Sequence, residues 1–117
     1  MAYDIIHRDE FERNGDWQLA RRSLGVHSFG INLVTIPPGG TIPEHDERER
    51  DQEEVFIVLS GEPSLVVDGE EAVARSGTFC RLDAEHKRTI VNHGDDDADL
   101  LIVSAPRTSG YTDMGWA

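Results

Sequence analysis

The chain has 117 residues, which is the size of one ordinary domain and too few for two. Its hydrophobic fraction is 38%. This figure omits the 11 glycines, whereas the roughly 45–50% typical of globular domains includes glycine, so the composition is not that of a disordered chain. The 23 acidic residues outnumber the 11 basic ones, and the resulting net charge of −12 argues against nucleic acid and membrane partners, whose surfaces are also negative.

The N-terminal sequence MAYDIIHRDE lacks the apolar stretch of a secretory signal peptide. The longest apolar run in the chain, Val55 to Leu59, is too short for a membrane-spanning helix. The single cysteine, Cys80, has no partner for a disulfide within the chain, which agrees with a reducing compartment. We therefore expect a cytoplasmic protein.

Residues 8–24 form the only stretch whose sequence would suit a helix. Asn14-Gly15 interrupts this stretch, because an asparagine followed by a glycine is a typical turn signal. The segment from Trp17 to Arg21 also fits the alternation of a strand. We predict a strand here.

The rest of the chain consists of short apolar runs separated by turn residues, a pattern typical of an all-β sandwich or barrel. Asp68-Gly69 lies between two of these runs and predicts a tight hairpin, because glycine readily adopts the positive φ of a type I′ turn. The predicted strands are Phe29–Ile36, Glu54–Ser60, Ser64–Val67, Ala72–Ala74, Thr78–Leu82, Thr89–Asn92 and Leu100–Ala105.

The strand from Glu54 to Leu59 is apolar on both faces after its first residue. A strand of this kind is normally covered on both sides. In so small a chain the outer cover is either a second sheet or a partner subunit, and the N-terminal segment has no obvious partner within the barrel. We therefore expect a homodimer.

Candidate chemistry is concentrated between residues 45 and 54. His45 and Glu47 are two residues apart, so both side chains leave one face of an extended segment, and Glu54 begins the next strand. One imidazole and two carboxylates suit Fe(II), Mn or Zn. Farther on, His86 and Arg88 share the face of one strand, and either is able to reach the same cavity.

These residues resemble the two sequence motifs of the cupin family. In the first motif, Gly39 precedes His45-Asp46-Glu47, and Glu54 is followed by Gly61 at the family's spacing. In the second motif, Gly77 begins a strand, and Arg88 lies four residues before Asn92. The resemblance implies an all-β double-stranded β-helix, or jelly-roll barrel.

The resemblance also implies the layout of the chain. It covers about residues 29–106, so we expect a single cupin-like domain over residues 1–117 with that core. Residues 1–28 would then form an N-terminal arm, and residues 107–117 a C-terminal tail whose aromatic residues have no assigned role.

The chain departs from the family pattern at two ligand positions. Glu47 stands where the family has its second metal-binding histidine, and Arg88 stands where it has the last one. A guanidinium offers no lone pair and cannot bind a metal. Either His45, Glu47 and Glu54 hold a divalent metal, with His86 as a fourth ligand, or Arg88 replaces the metal and is held by Glu54 or Glu47. We favour the second interpretation.

Three hypotheses for function follow. The favoured one is a small-molecule binding protein whose cavity, lined by His45, Glu47, Glu54, Phe56 and Arg88, uses Arg88 to grip a polar or anionic ligand. The alternative is a metal-dependent oxygenase, isomerase or decarboxylase that uses the three-residue metal set. The third is an interaction protein with a vestigial cavity. The sequence does not choose the ligand, the metal or the reaction.

Overall fold

Two antiparallel sheets form the molecule in a computed structural model that describes residues 3–117. The larger sheet has the strand order β1-β2-β3-β9-β4-β7, and the smaller has the order β6-β5-β8. The strands are β1 Arg13–Asn14, β2 Trp17–Gln18, β3 Gly30–Ile36, β4 Gln52–Ser60, β5 Ser64–Val67, β6 Glu70–Val73, β7 Phe79–Leu82, β8 Arg88–Val91 and β9 Ala98–Pro106. This arrangement confirms the prediction of an all-β jelly-roll barrel.

The segment that follows β3 joins the two sheets on one side of the barrel. It pairs with β8 through two isolated bridges, Thr41 with Val91 and His45 with Arg88. The second bridge uses both backbone hydrogen bonds, His45 N to Arg88 O at 3.1 Å and Arg88 N to His45 O at 2.8 Å. The backbone itself therefore places His45 beside Arg88.

The core lies between the two sheets and follows the two-residue alternation of the strands. In β4, for example, Glu54, Phe56 and Val58 are buried, whereas Val55 and Ile57 on the other face are partly exposed. The principal inward side chains are Val34, Ile36, Ile42, Phe56, Val58, Leu65, Leu82, Ile90, Leu100 and Ile102.

The hairpin predicted at Asp68-Gly69 is present. Both residues have positive φ, 51° and 81°, and β5 pairs with β6 so that Leu65 lies opposite Ala72. The second strand covers Glu70–Val73 and therefore begins two residues earlier than the predicted Ala72–Ala74. The tight turn needs no further loop residues, so pairing starts immediately after it.

The strand prediction for Trp17 to Arg21 is only half right. Trp17 and Gln18 form β2, but Ala20–Leu24 form a short α-helix, α1, which ends where Gly25 adopts a left-handed conformation with φ of 72°. The local alternation does not distinguish the two states, and Gly25 supplies the helix end that favours a last helical turn. Neither this helix nor any other in residues 3–117 is long and apolar enough to cross a membrane.

The N-terminal segment packs on its own chain, contrary to the expectation that it lacks a partner there. β2 pairs with β3, with Trp17 opposite Val34. Arg8 hydrogen-bonds to Gln18 and Asp99 and so ties the segment to β9. The expected arm of residues 1–28 therefore contributes two short strands, β1 and β2, to the larger sheet, and its first two residues lie outside the described residues.

Candidate active site

A cavity of about 490 Å³ opens between the inner face of the larger sheet and the segment of residues 42–50, and it collects most of the predicted site residues. Its volume is within the roughly 300–1,000 Å³ typical of small-molecule sites. His45, Glu47, Glu54 and Phe56 all line it. The other lining residues are Trp17, Arg21, Gly30, Asn32, Ile42, Pro43, Arg50, Ile102 and Ser104.

The ring of His45 is oriented by the backbone. Its Nδ1 lies 2.9 Å from the carbonyl oxygen of Pro43, and because a carbonyl only accepts, Nδ1 is the donor in this hydrogen bond. The other ring nitrogen, Nε2, then faces Glu47 Oε1 at 3.3 Å and Glu54 Oε1 at 3.9 Å. This is the orientation of a histidine that shares a proton or a cation with two carboxylates.

Glu47 is buried even though it lies in an acidic stretch. Only 5% of the residue is exposed, and its backbone N–H donates to the carbonyl of Ala84 at 2.8 Å. Arg50, three residues later, donates to both carboxylate oxygens, with the shortest contact at 2.7 Å. The guanidinium offsets the cost of burying this carboxylate.

Glu54 begins the inward face of β4 and is also buried. Its Oε1 atom has no hydrogen-bond partner among the described residues. Burial raises the pKa of Glu54, and the carboxylate of Glu47 raises this pKa further, whereas Arg88 and His45 oppose the shift. The site thus combines a carboxyl group that holds a proton more readily than an exposed one with a second carboxylate held by a guanidinium.

Arg88 lies behind Glu54 and has no exposed surface. Its Nε is 3.4 Å from Glu54 Oε1, while its two terminal nitrogens donate to the carbonyls of Asp83, Ala84 and His86. Arg88 is thus not among the residues that line this cavity, because the loop carbonyls occupy the end of its side chain.

His86 does not join the cluster and is not a fourth ligand to it. The strand begins only at Arg88, so His86 lies in the preceding turn, where its Nδ1 is 2.7 Å from Asp68 Oδ2. It lines a different opening of about 750 Å³ between the edges of β6 and β7, together with Cys80. Burial raises the pKa of the Cys80 thiol, which disfavours the reactive thiolate form.

Several residues that line the cavity were not predicted from the sequence. Asn32 and Ser104 point inward because they lie two residues from the core residues Val34 on β3 and Ile102 on β9, and this two-residue period was the available signal. Arg50 and Arg21 belong to charged stretches that indicate solvated surface, and no local pattern marks them. Trp17 reaches the cavity only through the pairing of β2 with β3.

The metal-binding hypothesis can be tested on the donor atoms. One ligand atom each from His45, Glu47 and Glu54 lies within 4.8 Å of the others, and the His45 Nε2 lone pair is directed at them. This donor set fits a divalent cation. The negative charges of the two carboxylates are already balanced by the guanidiniums of Arg50 and Arg88, so the cluster is close to neutral without a metal ion.

Comparison with known proteins identifies relatives of the whole barrel. The family model for the cupin domain matches residues 32–104. The chain is 35% identical over 89 residues to a Mycobacterium tuberculosis protein named beta-D-galactosidase Rv1717, which corresponds to 75% of this chain and 74% of that protein.

Two solved structures illustrate the structural similarity. A cupin protein from Bacteroides fragilis superposes with a TM-score of 0.79 at 23% identity, covering 96% of this chain and 92% of that one. A sugar phosphate isomerase of the cupin superfamily from Silicibacter pomeroyi gives a TM-score of 0.67 at 25% identity. The match covers 76% of this chain but only 57% of the isomerase.

Proposed function

This chain belongs to the cupin family, and we propose that it binds a sugar or glycoside in the cavity and acts on it through Glu47 and Glu54. The observation that carries the proposal is the lining of a single cavity. It combines an indole ring, a neutral amide, a hydroxyl and two carboxyl groups.

The cavity suits the two chemically different sides of a sugar. A pyranose has apolar C–H faces and a polar edge of hydroxyl groups. Trp17 and Phe56 provide apolar aromatic surface, while Asn32 and Ser104 provide hydrogen-bonding groups that are partly exposed to the cavity. A wholly apolar ligand would leave the side chains of Asn32 and Ser104 without hydrogen-bond partners in the cavity.

The relatives support the same class of ligand. The curated relative is named a beta-galactosidase, and one structural neighbour is named a sugar phosphate isomerase. Both names refer to sugars, although the reactions differ. The similarity therefore supports a sugar ligand more strongly than it supports any particular reaction.

Two carboxyl groups on one bound sugar provide the chemistry for cleaving a glycosidic bond. Glu54, whose pKa is raised by burial, would donate a proton to the leaving oxygen. Glu47, with its charge held by Arg50, would stabilise the positive charge that develops at the anomeric carbon. Water would complete the hydrolysis, and the proton would return to Glu54.

The proposal is tested by measuring galactose binding by calorimetry and hydrolysis of nitrophenyl β-galactoside. We expect Glu54→Gln to lower hydrolysis by at least a hundredfold, the usual contribution of a general acid, with little effect on binding. Glu53→Gln is the matched control, since Glu53 is the neighbouring residue on the opposite, exposed face and pairs with Arg81. Absence of sugar binding by the wild type would refute the proposal.

A metal-dependent cupin enzyme is the second candidate, and the convergence of the three donor atoms favours it. His45, Glu47 and Glu54 would hold the ion, which would supply Lewis-acid chemistry to a bound substrate. Elemental analysis of freshly purified protein, with activity measured before and after chelation, separates the candidates. Stoichiometric metal together with chelator-sensitive activity would favour this second function.

A further inference from the structure

We propose that the sugar taken by this cavity carries an anionic group, a carboxylate or a phosphate, and that Arg21 and Arg50 bind this group. The inference rests on the proposed sugar-binding function and adds the class of sugar. It assigns a role to Arg21, which neither the motif nor the acid–base chemistry uses, and a second role to Arg50, which already holds Glu47.

The two arginines reach the same cavity from separate parts of the chain. Arg21 lies on α1, and Arg50 lies in the turn that precedes β4. Both are exposed residues that line the cavity. The chain has 23 acidic and 11 basic residues, yet this cavity is lined by as many arginines, Arg21 and Arg50, as carboxylates, Glu47 and Glu54.

Both guanidiniums retain donors for a ligand. Arg50 donates to Glu47 through Nε and Nη2, so its Nη1 is left to reach another acceptor, and 73% of its side chain is exposed. Arg21 donates through Nη1 to the carbonyl of Val26 at 3.2 Å. Its Nε and Nη2 have no hydrogen-bond acceptor among the described residues. A guanidinium is suited to carboxylate and phosphate oxygens because its donors lie in one plane.

A purely structural role explains Arg50 better than it explains Arg21. Arg50 neutralises the buried Glu47, which gives it a reason to be present without a ligand. Arg21 has no carboxylate partner among the salt bridges of the described residues, although the chain is rich in carboxylates. The effect of replacing Arg21 is therefore the sharper test.

The neighbouring arginines provide matched controls. Arg22 follows Arg21 on the same helix but pairs with Glu12 at 3.0 Å and does not line the cavity. Arg48 lies in the same turn as Arg50 but contacts the carbonyl of Glu85. Each control removes the same charge from the same element as the arginine it is compared with. A change in net charge alone would therefore affect the alanine variants at residues 21, 22, 48 and 50 alike.

The experiment compares galactose, galacturonate and galactose 6-phosphate by titration calorimetry against the wild type, Arg21→Ala, Arg22→Ala and Arg48→Ala. We expect one or both anionic sugars to bind at least tenfold more tightly than galactose. Arg21→Ala should remove about tenfold of that preference, with little change in galactose binding, and both controls should retain it. The two anionic probes distinguish a carboxylate from a phosphate.

Arg50 is tested with two variants, one of which keeps the positive charge, because loss of the guanidinium also disturbs Glu47. Arg50→Ala should abolish most of the preference for the anionic sugar, and Arg50→Lys should restore part of it by keeping the charge. Raising the salt concentration should weaken binding of the anionic sugar and leave galactose binding unchanged.

The outcomes separate this inference from the proposed function. If galactose binds as tightly as both anionic sugars, or if Arg21→Ala behaves like Arg22→Ala, the anionic class is wrong while sugar binding stands. If none of the three sugars binds, both the inference and the proposed function fail.

Discussion

Arg88 Nε lies 3.4 Å from Glu54 Oε1, and neither atom has a hydrogen-bond partner among the described residues. The two charges attract each other in a buried setting, but the contact lacks the geometry of a hydrogen bond. The rest of the Arg88 guanidinium is fixed by loop carbonyls. Arg88 thus acts as a built-in cation that positions Glu54 from behind the cavity.

Removing Arg88 should strongly destabilise the barrel. Arg88→Met leaves Glu54 without its buried counter-charge and the carbonyls of the 83–86 loop without their donors. The expected loss in the free energy of unfolding is about 3–5 kcal/mol, the typical effect of breaking a buried ion pair. Denaturant unfolding measures this loss, and the double variant with Glu54→Gln should regain part of it. Equal stability of Arg88→Met and wild type would contradict this account.

Arg88→His tests whether the guanidinium stands in for a metal ligand. An imidazole at residue 88 would lie near Glu54 and close to His45, in the position of the family's last metal-binding histidine. We expect the wild type to bind Zn²⁺ or Ni²⁺ weakly and Arg88→His to bind at least tenfold more tightly, as measured by calorimetry. Tight binding by the wild type that Arg88→His leaves unchanged would show that Arg88 lies outside any metal site.

The pair between Arg8 and Asp99 should make stability dependent on pH. The hydrogen bond from Arg8 lowers the pKa of Asp99, so this contribution is complete above the unfolded pKa of about 4 and is lost as pH falls through the folded pKa. Arg8→Ala should therefore cost about 1–2 kcal/mol at pH 7 and less at pH 3.

Denaturant unfolding at both pH values measures this difference. Arg22→Ala is the control, because Arg22 forms an ion pair with Glu12 that is exposed on both sides and should cost little at either pH. A cost for Arg8→Ala that is equal at pH 7 and pH 3 would contradict the role assigned to Asp99.

The strands and most of the barrel were predictable because burial on one face imposes a two-residue period of apolar side chains that is visible in the sequence. Glu54, Phe56 and Val58 are one example, and the hairpin at Asp68-Gly69 is another. The N-terminal segment was not predictable in this way, because Trp17 and Ala20 have similar local patterns and only the pairing with β3 distinguishes strand from helix.

The candidate site was predictable where a motif fixed it and unpredictable where folding brought distant residues together. His45, Glu47 and Glu54 occupy ligand positions of the motif, and the structure places them on one cavity. The direction of the Arg88 guanidinium depends on where the 83–86 loop puts its carbonyls, which no spacing rule reveals. Arg50 reaches Glu47 through a turn in which Asp51 has a φ of 49°.

The homodimer expected from the sequence stays a prediction. The outer face of the larger sheet carries a continuous apolar strip, because Ile57 lies opposite Phe79 on one side and opposite Leu101 on the other. Phe79 is 68% exposed and Leu59 is 41% exposed. An exposed apolar face of this kind is best covered by the same face of a second copy.

Light scattering during size-exclusion chromatography should give twice the 13.0 kDa chain mass. Ile57→Glu should give a folded monomer, since it places a charge at the centre of the strip, while Glu53→Gln on the same strand should stay dimeric. A mass of 13.0 kDa for the wild type over a wide range of concentration would contradict the prediction.

Gly30 controls the space available to a ligand at one wall of the cavity. It lies opposite Ser104 in the sheet, and a Cβ added at Gly30 would collide with the Ser104 hydroxyl oxygen. That oxygen is the end of a rotatable side chain, so Gly30→Ala should turn the hydroxyl away at a small cost in stability, about 1 kcal/mol or less. We expect sugar affinity to fall about tenfold, because the cavity becomes narrower and a hydrogen-bonding group is redirected.

Ser104→Ala is the matched variant, because it removes the hydroxyl without narrowing the cavity. The double variant should bind sugar no more weakly than the weaker of the two single variants. Calorimetry with galactose together with denaturant unfolding measures both effects, and unchanged sugar affinity in Gly30→Ala would show that the ligand does not approach this wall.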